Sequence, residues 1–216
     1  MSDFIEIPAT KRSLTKRKPV FGIGINDANY VVQPTINGKR IWCPFYAVWR
    51  NMIMRCYSAK FQEKHPTYRG CTVAVEWLTF SNFKIWMEKQ DWVGKELDKD
   101  ILIPGNKEYS PKSCLLVSQT INKLLNENLA NRGCLPQGVS FKNSLDKYQS
   151  YCGVSGNKKH LGYFTYISEA EYTYLKFKSS LIKELANKEE AVSNPKLQAA
   201  LLIHAGLFKK KAEAVK

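Results

Sequence analysis

The feature that most limits how this chain can fold is a run of three short strand-like segments followed by a long helical pattern, within residues 133–187. Residues 138–142, 148–154 and 160–166 each read as a strand, and short polar turns separate them. Turns of this kind join antiparallel strands. One amphipathic helix covers one face of such a sheet and leaves the other face in water. The pattern therefore predicts an α+β fold with a three-stranded antiparallel sheet packed on one helix.

Two helices have recognisable first residues. Ser168 followed three residues later by Glu171 predicts a capping box for the helix after the sheet. Asn194 and Pro195 predict the start of a last helix. The residues on its apolar face are Leu197, Leu201, His204 and Phe208. We expect this helix to dock back on the fold, with an oligomer contact as the alternative.

Successive side chains of a strand point to opposite faces of the sheet, so the side chains of the three strands divide between two faces, with one bulge allowed near Gly162. The residues expected under the helix are Val139, Phe141, Tyr148, Ser150, Cys152, Leu161 and Phe164. The residues expected on the open side are Ser140, Lys142, Gln149, Tyr151, Lys158 and His160. Amide and lysine side chains on a sheet face can read base edges in a DNA major groove. The open side is therefore a candidate nucleic-acid-binding surface.

Helical periodicity and turn signals also predict a hairpin, helices and strands within the first 130 residues. Asn37-Gly38 is a strong two-residue hairpin signal. One helical period begins at Pro44, and a second helix opens near Thr79. Strands are expected over residues 71–77 and 114–117. The second of these strands precedes a helix that contains Asn122.

The charge of the chain indicates a polyanionic partner, either nucleic acid or an anionic membrane surface. Its 33 lysines and arginines outnumber 19 aspartates and glutamates, which gives a formal charge of +14. No apolar run approaches the ~20 residues of a membrane-spanning helix, which argues against a membrane. Lys16 and Arg17 belong to an N-terminal basic cluster that could follow phosphates, with a solvated terminus as the alternative. The six cysteines lack close spacing, which is typical of a reducing cytoplasm.

Several short motifs in the strand-and-helix segment occur at fixed spacings. They are Gly138-Val139, Lys147-Tyr148, residues 161–164 and residues 168–172. In these motifs the segment 133–187 resembles the Apetala / ethylene-response-factor DNA-binding domain, in the form found within phage-type mobile endonucleases. The resemblance implies that duplex DNA lies against the open side of the sheet. The alternative is a small α+β domain used for protein contact.

A second set of motifs lies in residues 45–125. They are residues 49–52 and 55–57, Glu76-Trp77, Phe80, Phe83, residues 97–100, 105–107 and 109–111, Cys114 and Asn122. In these motifs the chain resembles the HNH-like (His-Me finger) proteins of phages and mobile elements. The resemblance implies a ββα-metal module. The module is degenerate here, because Lys99 stands where the family has a histidine.

An active HNH-like module would need a divalent cation, Mg²⁺ or Mn²⁺, and a group that activates water. The resemblance gives catalytic positions to Asp98, Lys99 and Asn122, and candidate metal ligands at Asp98, Asp100 and Asn106. Because lysine is a cation near neutral pH, Lys99 would stabilise charge on the phosphate or leaving group. The alternative is that the two aspartates cap a turn and pair with lysine.

A structural zinc is a further alternative, because related fingers sometimes carry one. The candidate ligands are Cys56, Cys71, Cys114 and His65. They lack the C-x₂-C spacing that is typical of zinc sites.

We therefore expect four segments. They are a basic arm (1–19), an HNH-like module with an N-terminal hairpin (20–130), an Apetala-type DNA-binding domain (133–187), and a linker with a basic C-terminal helix (188–216). The function expected is that of a DNA-binding protein of the HNH homing-endonuclease type, in the cytoplasm of a phage-infected bacterial cell. Its partner would be double-stranded DNA, with no membrane involved. If active, it would be a metal-dependent endonuclease that hydrolyses phosphodiesters. The alternative is a non-catalytic regulator that binds phage DNA or a host factor on the same scaffold.

Overall fold

The chain divides into two compact units, Met1–Leu116 and Val117–Lys216. A computed structural model describes residues 4–125 and 134–215, and the fold is α+β, as predicted. The division lies ahead of the polar stretch 126–133, where the sequence predicts a boundary; that stretch is outside the described residues. Within the described ranges, no helix is both long and apolar enough to cross a membrane.

Short helices and short strands alternate through the first unit. Its helices are α1 (Lys11–Thr15), α2 (Pro44–Tyr57), α3 (Ala59–Lys64) and α4 (Phe80–Glu88). Its strands are β1 (Thr35–Ile36), β2 (Lys39–Arg40), β3 (Thr72–Val73), β4 (Lys95–Asp98), β5 (Glu108–Tyr109) and β6 (Leu115–Ser118), the last of which continues into the second unit. Strand β1 pairs with β2 in antiparallel fashion, β3 with β5 in parallel fashion, and β4 with β6.

The core of the first unit is aromatic and lies between α2 and α4. Helix α2 begins at Pro44, as predicted, because the fixed φ of proline suits the first helical position. Trp49 on α2 is completely buried, and α4 contributes the buried Phe80 and Phe83. The indole Nε1–H of Trp49 donates to the carbonyl oxygen of Trp77 at 2.7 Å, which gives this buried polar group its partner.

The Asn37-Gly38 hairpin is confirmed, and the strand predicted over residues 71–77 is wrong beyond Val73. Asn37 and Gly38 have φ values of 49° and 75°, the left-handed conformation that a two-residue turn requires. After Val73, a 3-10 helix over Val75–Leu78 replaces the strand and leads into α4. Trp77 therefore packs in the core from this turn rather than from a sheet, whereas Val75 of the same turn is 84% exposed.

In the second unit a three-stranded sheet is combined with long helices. After α5 (Gln119–Leu125), the sheet consists of β7 (Val139–Lys142), β8 (Lys147–Val154) and β9 (Asn157–Phe164). The strands pair in the order β7-β8-β9, all antiparallel, as predicted. The chain then forms α6 (Ile167–Leu185), α7 (Glu189–Val192) and α8 (Pro195–Val215).

Helix α6 covers one face of the sheet, and α8 packs along α6. Val139, Ser150 and Cys152 are buried on the covered face of the sheet. On α8, the buried residues are Leu197, Ala200, Leu201, Ala205, Phe208 and Ala212. The hydroxyl of Ser179 on α6 donates to the carbonyl oxygen of Ala205 at 2.8 Å. The prediction that the last helix docks back on the fold is confirmed.

Two local predictions for this unit are wrong. Helix α6 begins at Ile167 with Tyr166 as its N-cap, so Ser168 lies inside the first turn and does not form the capping box. Phe141 was expected under α6, but it is 43% exposed and its ring contacts Tyr148 edge-on at 5.1 Å. Phe141 lies toward the end of β7, where it packs on a neighbouring aromatic rather than on the core.

Candidate nucleic-acid interface

The face of the β7-β8-β9 sheet that α6 does not cover is called the open face below. The strand register shows which residues lie on it. Residues opposite one another in paired strands project on the same side of a sheet. The register places Ser140 opposite Gln149, and Gln149 opposite Tyr163, so the three side chains form a row. The residues that share this side are Ser140, Lys142, Lys147, Gln149, Tyr151, Lys158, His160 and Tyr163.

A bulge in β9 decides which aromatic side chains reach the open face. His160 is opposite Tyr151, whereas Gly162 is opposite Ser150, so the register shifts by one residue at Leu161. Residues three apart in a regular strand point to opposite faces. The shift therefore places both His160 and Tyr163 on the open face, and the bulge predicted near Gly162 is confirmed.

The centre of the open face is a cluster of an amide, an imidazole and a phenol. Nε2 of Gln149 lies 3.0 Å from Nδ1 of His160, and the His160 ring lies 4.5 Å from the Tyr163 ring. A primary amide has two N–H donors and an oxygen acceptor. If the Gln149 nitrogen donates to Nδ1, its oxygen and its second N–H keep the donor–acceptor pair that matches an adenine edge.

Lysines lie at both ends of the open face. Lys142 and Lys147 are exposed and are opposite each other at one end of the β7-β8 pair. Lys158 is opposite Gly153 near the other end, and its Nζ lies 3.4 Å from the centroid of the Tyr151 ring. From Lys147 to Gly153, at ~3.3 Å per residue, the distance along β8 is about 20 Å. Cationic groups therefore lie on either side of the central cluster.

The two basic residues predicted near the N-terminus differ in their surroundings. Lys16 is exposed at the end of α1. The Arg17 guanidinium instead donates inward, to the carbonyl oxygens of Asn26 and Tyr30 at 2.9 Å each and also to that of Ala28. Its donors therefore fasten the loop 26–30, and we remove Arg17 from the candidate interface.

Asp98 caps the turn that follows β4. Its Oδ1 accepts hydrogen bonds from the backbone N–H groups of Asp100 and Ile101, both at 2.7 Å. This is the turn-capping role that short acidic side chains often take. Burial raises the pKa of Asp98, although the two backbone donors oppose this shift.

Lys99 is engaged by the same turn. It is 6% exposed, and its Nζ contacts Oδ1 of Asp100 and donates to the carbonyl oxygen of Asn106 at 2.8 Å. The Asn106 amide donates back to the carbonyl oxygens of Lys99 and Glu108, and its Oδ1 accepts from the Glu108 N–H. The side chains proposed for chemistry therefore hold the turn between β4 and β5 together.

The proposed cation ligands make hydrogen bonds within the chain. One oxygen of each is already engaged: Oδ1 of Asp98 and Oδ1 of Asn106 accept hydrogen bonds from backbone N–H groups, and Oδ1 of Asp100 accepts one from Nζ of Lys99. Among the described residues, no three His, Cys, Asp or Glu side chains are grouped so as to hold a metal ion. Asn122 lies on α5 in the second unit, whereas Asp98 belongs to the first.

The residues considered for zinc are not grouped as a metal site among the described residues. Cys56, Cys71 and Cys114 are buried, and burial raises the pKa of Cys56 and of Cys114 to about 12. His65 is exposed and lies against the Phe61 ring at 4.3 Å. These cysteines behave as small apolar core residues.

We expect the raised pKa of Asp98 to make its ionisation cost stability. In the unfolded chain the pKa of Asp98 lies near its ordinary value of about 3.9, and in the folded protein it is higher. At a pH between these two pKa values, the folded state therefore binds more protons than the unfolded state. The contribution of Asp98 to stability therefore falls as the pH rises through this window and is constant above it. Asp98→Asn keeps the acceptor oxygen but cannot ionise. In urea denaturation between about pH 3.5 and pH 8, its stability relative to wild type should rise with pH. A relative stability that falls with pH would contradict this prediction.

Pattern reading from the sequence missed two members of the open face and one buried charge. Lys147 and Tyr163 were not assigned to the face, although alternation counted back from Phe164 indicates Tyr163. Lys178 on α6 is only 2% exposed, and its Nζ donates to the Tyr174 hydroxyl at 2.9 Å and lies 4.7 Å from the Phe208 ring centroid. The sequence pattern did not predict this burial, because a pattern counts lysine as polar although its hydrocarbon stem packs as an apolar side chain does.

A scan against protein-family models found none that matches this chain, and neither the curated proteins nor the solved structures contain a significant match to it.

Proposed function

We propose that the chain binds double-stranded DNA through the open face, as a non-catalytic protein on an HNH-like scaffold. One observation carries the proposal: an amide, an imidazole and a phenol are grouped at the centre of an uncovered sheet face that has lysines toward both ends. The formal charge of +14 supports a polyanionic partner.

The dimensions of the open face suit a major groove. Neighbouring strands are ~4.8 Å apart, so three strands are about 10 Å across, and a major groove is about 12 Å wide. Residues two apart on one strand, such as Gln149 and Tyr151, are about 7 Å apart, close to two base-pair steps. A sheet of this size can enter the groove with its side chains facing the bases.

The arrangement of polar groups separates two tasks. Lysines at the ends of the face would contact phosphates, which position a protein without reading sequence. Gln149, oriented by His160, would meet base edges, where an amide pairs with adenine. Tyr163 would add an apolar contact beside them.

In this proposal the HNH-like module is a structural scaffold without catalytic activity. Strands β4 and β6 pair, with β5 between them along the chain, and helix α5 follows β6, which gives the strand–strand–helix order of a ββα finger. The functional groups of the turn after β4 are engaged by that turn. We therefore assign them to folding and not to phosphodiester hydrolysis.

A matched pair of tyrosine variants tests the binding surface. Tyr163→Ala should lower the affinity for a mixed-sequence DNA duplex about tenfold, because a contact of roughly 1.4 kcal/mol is lost. Tyr166→Ala removes an exposed tyrosine just beyond β9 and should leave the affinity unchanged. Fluorescence anisotropy with a labelled duplex measures both. Equal losses, or no loss in either variant, would remove the open face as the DNA contact.

A nicking assay tests the absence of hydrolysis. Wild type and Asp98→Asn should both leave supercoiled plasmid intact in the presence of Mg²⁺ or Mn²⁺, while both retain duplex binding. The reason is that the Asp98 oxygen already caps a turn. Nicking by the wild type that disappears in Asp98→Asn would establish the endonuclease function instead.

A further inference from the structure

Gln149 and His160 form a hydrogen-bonded pair on the open face, and the direction of this bond depends on the charge of the imidazole. Nε2 of Gln149 lies 3.0 Å from Nδ1 of His160. In a neutral imidazole whose other nitrogen carries the proton, Nδ1 is an acceptor, so the amide N–H donates to it. A protonated imidazole has a donor on both nitrogens, and Nδ1 then bonds Gln149 only through the amide oxygen. To keep the hydrogen bond after protonation of His160, the Gln149 amide must turn over.

The two orientations of the Gln149 amide present different groups to a ligand. With its nitrogen toward Nδ1, the amide keeps an oxygen acceptor beside a second N–H donor. With its oxygen toward Nδ1, it presents two N–H donors. In the major groove, adenine has an N7 acceptor beside an N6–H donor, whereas guanine has two acceptors, N7 and O6. The first orientation therefore matches adenine, and the second matches guanine.

The surroundings of His160 suit both charge states. Its ring lies 4.5 Å from the Tyr163 ring, and a phenol packs favourably against a neutral ring and against a cation. Helix α6 packs on the other side of the sheet. The charged and titratable neighbours of His160 on the open face are Tyr151 opposite it, Lys158 against the Tyr151 ring, and Tyr163. None of these three is acidic, so the duplex would supply the negative charge that stabilises a protonated His160.

We propose that the charge of His160 determines which base Gln149 reads, adenine when the imidazole is neutral and guanine when it is protonated. This role rests on the proposed DNA binding through the open face. Histidine is the side chain that ordinarily changes its charge between about pH 5 and pH 8. Since only the guanine complex takes up a proton, its affinity should rise relative to that of the adenine complex as the pH falls.

Selection from a duplex library with a randomised central segment tests the proposal with the full chain, at about pH 7.5 and about pH 5.5. We expect adenine to dominate one position of the bound duplexes at the higher pH, and guanine to dominate the same position at the lower pH. In anisotropy titrations of the two selected duplexes, the preference between them should change about tenfold with pH, because one bidentate amide–base pair is exchanged for another. Absence of duplex binding would overturn this role together with the proposed function. Binding with the same preferred base at both pH values would overturn this role alone.

Two phenylalanine variants identify the titrating group. His160→Phe keeps a ring beside Tyr163 but has no nitrogen, so its base preference should be the same at both pH values. His65→Phe, in the first unit, keeps a ring against Phe61 and should retain the change of base with pH. A change of base that persists in His160→Phe would overturn the assignment to His160.

Nuclear magnetic resonance of the free protein tests the pair without DNA. The side-chain N–H signals of Gln149 should shift with the same pH midpoint as the ring C–H signals of His160, because the amide turns over when the imidazole gains its proton. The same signals should not shift over this range in His160→Phe. Gln149 signals that do not follow the titration of His160 in the wild type would overturn the proposal, whether or not the chain binds DNA.

Discussion

The triple substitution Lys142→Ala, Lys147→Ala and Lys158→Ala is expected to weaken duplex binding about 30- to 300-fold at about 0.1 M salt. Each lysine that meets a phosphate releases roughly one condensed counterion, so losing three should reduce the slope of log K against log salt by about 3. The lysines are exposed and lie toward the two ends of the open face, so their removal leaves no buried group without a partner. Anisotropy titrations at several salt concentrations measure both quantities.

A charge-matched control separates this surface from net charge. Lys64→Ala, Lys176→Ala and Lys183→Ala also remove three exposed cations, all from helices. If DNA binding depended only on the overall charge of +14, both triple variants would lose affinity equally. We expect the control to lose no more than about threefold. Equal losses in the two triple variants would contradict the assignment of the open face.

Gly138→Ala is expected to destabilise the second unit by about 3–5 kcal/mol. Gly138 has a φ of +76°, which costs any other residue about 1–2 kcal/mol. A Cβ there would also lie 2.5 Å from Cγ of the Tyr174 ring on α6, far inside van der Waals contact. Because Gly138 precedes β7 directly, relief of this overlap would shift the first strand away from α6.

Gly156→Ala provides the control, because Gly156 has a similar φ of +85° but no atom within 4 Å of an added Cβ. Gly156→Ala should lower the free energy of unfolding only by the cost of a left-handed backbone conformation, about 1–2 kcal/mol. All five tryptophans lie between residues 42 and 92, in the first unit. Tryptophan fluorescence therefore follows the first unit. Far-UV circular dichroism reports the helices of both units, of which α6 and α8 are the longest among the described residues, so a transition seen by circular dichroism and not by fluorescence belongs to the second unit. Equal destabilisation by the two alanines would show that contact with Tyr174 is unimportant.

Periodicity in the sequence predicts the elements that bury a continuous face. Helix α2 and the strands β7, β8 and β9 are long enough for their alternation or helical period to stand out. The start of α8 could also be predicted, because Asn194 caps it by accepting from the N–H of Leu197. Residues 71–77 could not be assigned in this way, because a two-residue strand followed by a 3-10 turn has no period to detect.

The roles of individual polar residues were harder to predict than the elements that carry them. Strand alternation indicated most of the open face, because position on a strand determines which way a side chain points. Arg17 and Asp98 were assigned to ligands, but both bind backbone groups of their own chain. The acceptors of Arg17 lie in the loop 26–30, well beyond its own helix, so the local sequence does not indicate these bonds. Asp98 instead accepts from N–H groups two and three residues further on, which is the turn-capping alternative that the sequence also offers.

The two buried lysines have a consequence for chemical labelling. Lys99 in the first unit and Lys178 in the second are the lysines buried among the described residues, at 6% and 2% exposure. An amine-directed acylating reagent reaches them only when the surrounding unit opens, whereas Lys142 or Lys158 reacts in the folded state. Mass spectrometry of the modified peptides would therefore give a separate opening rate for each unit, without any substitution in the chain.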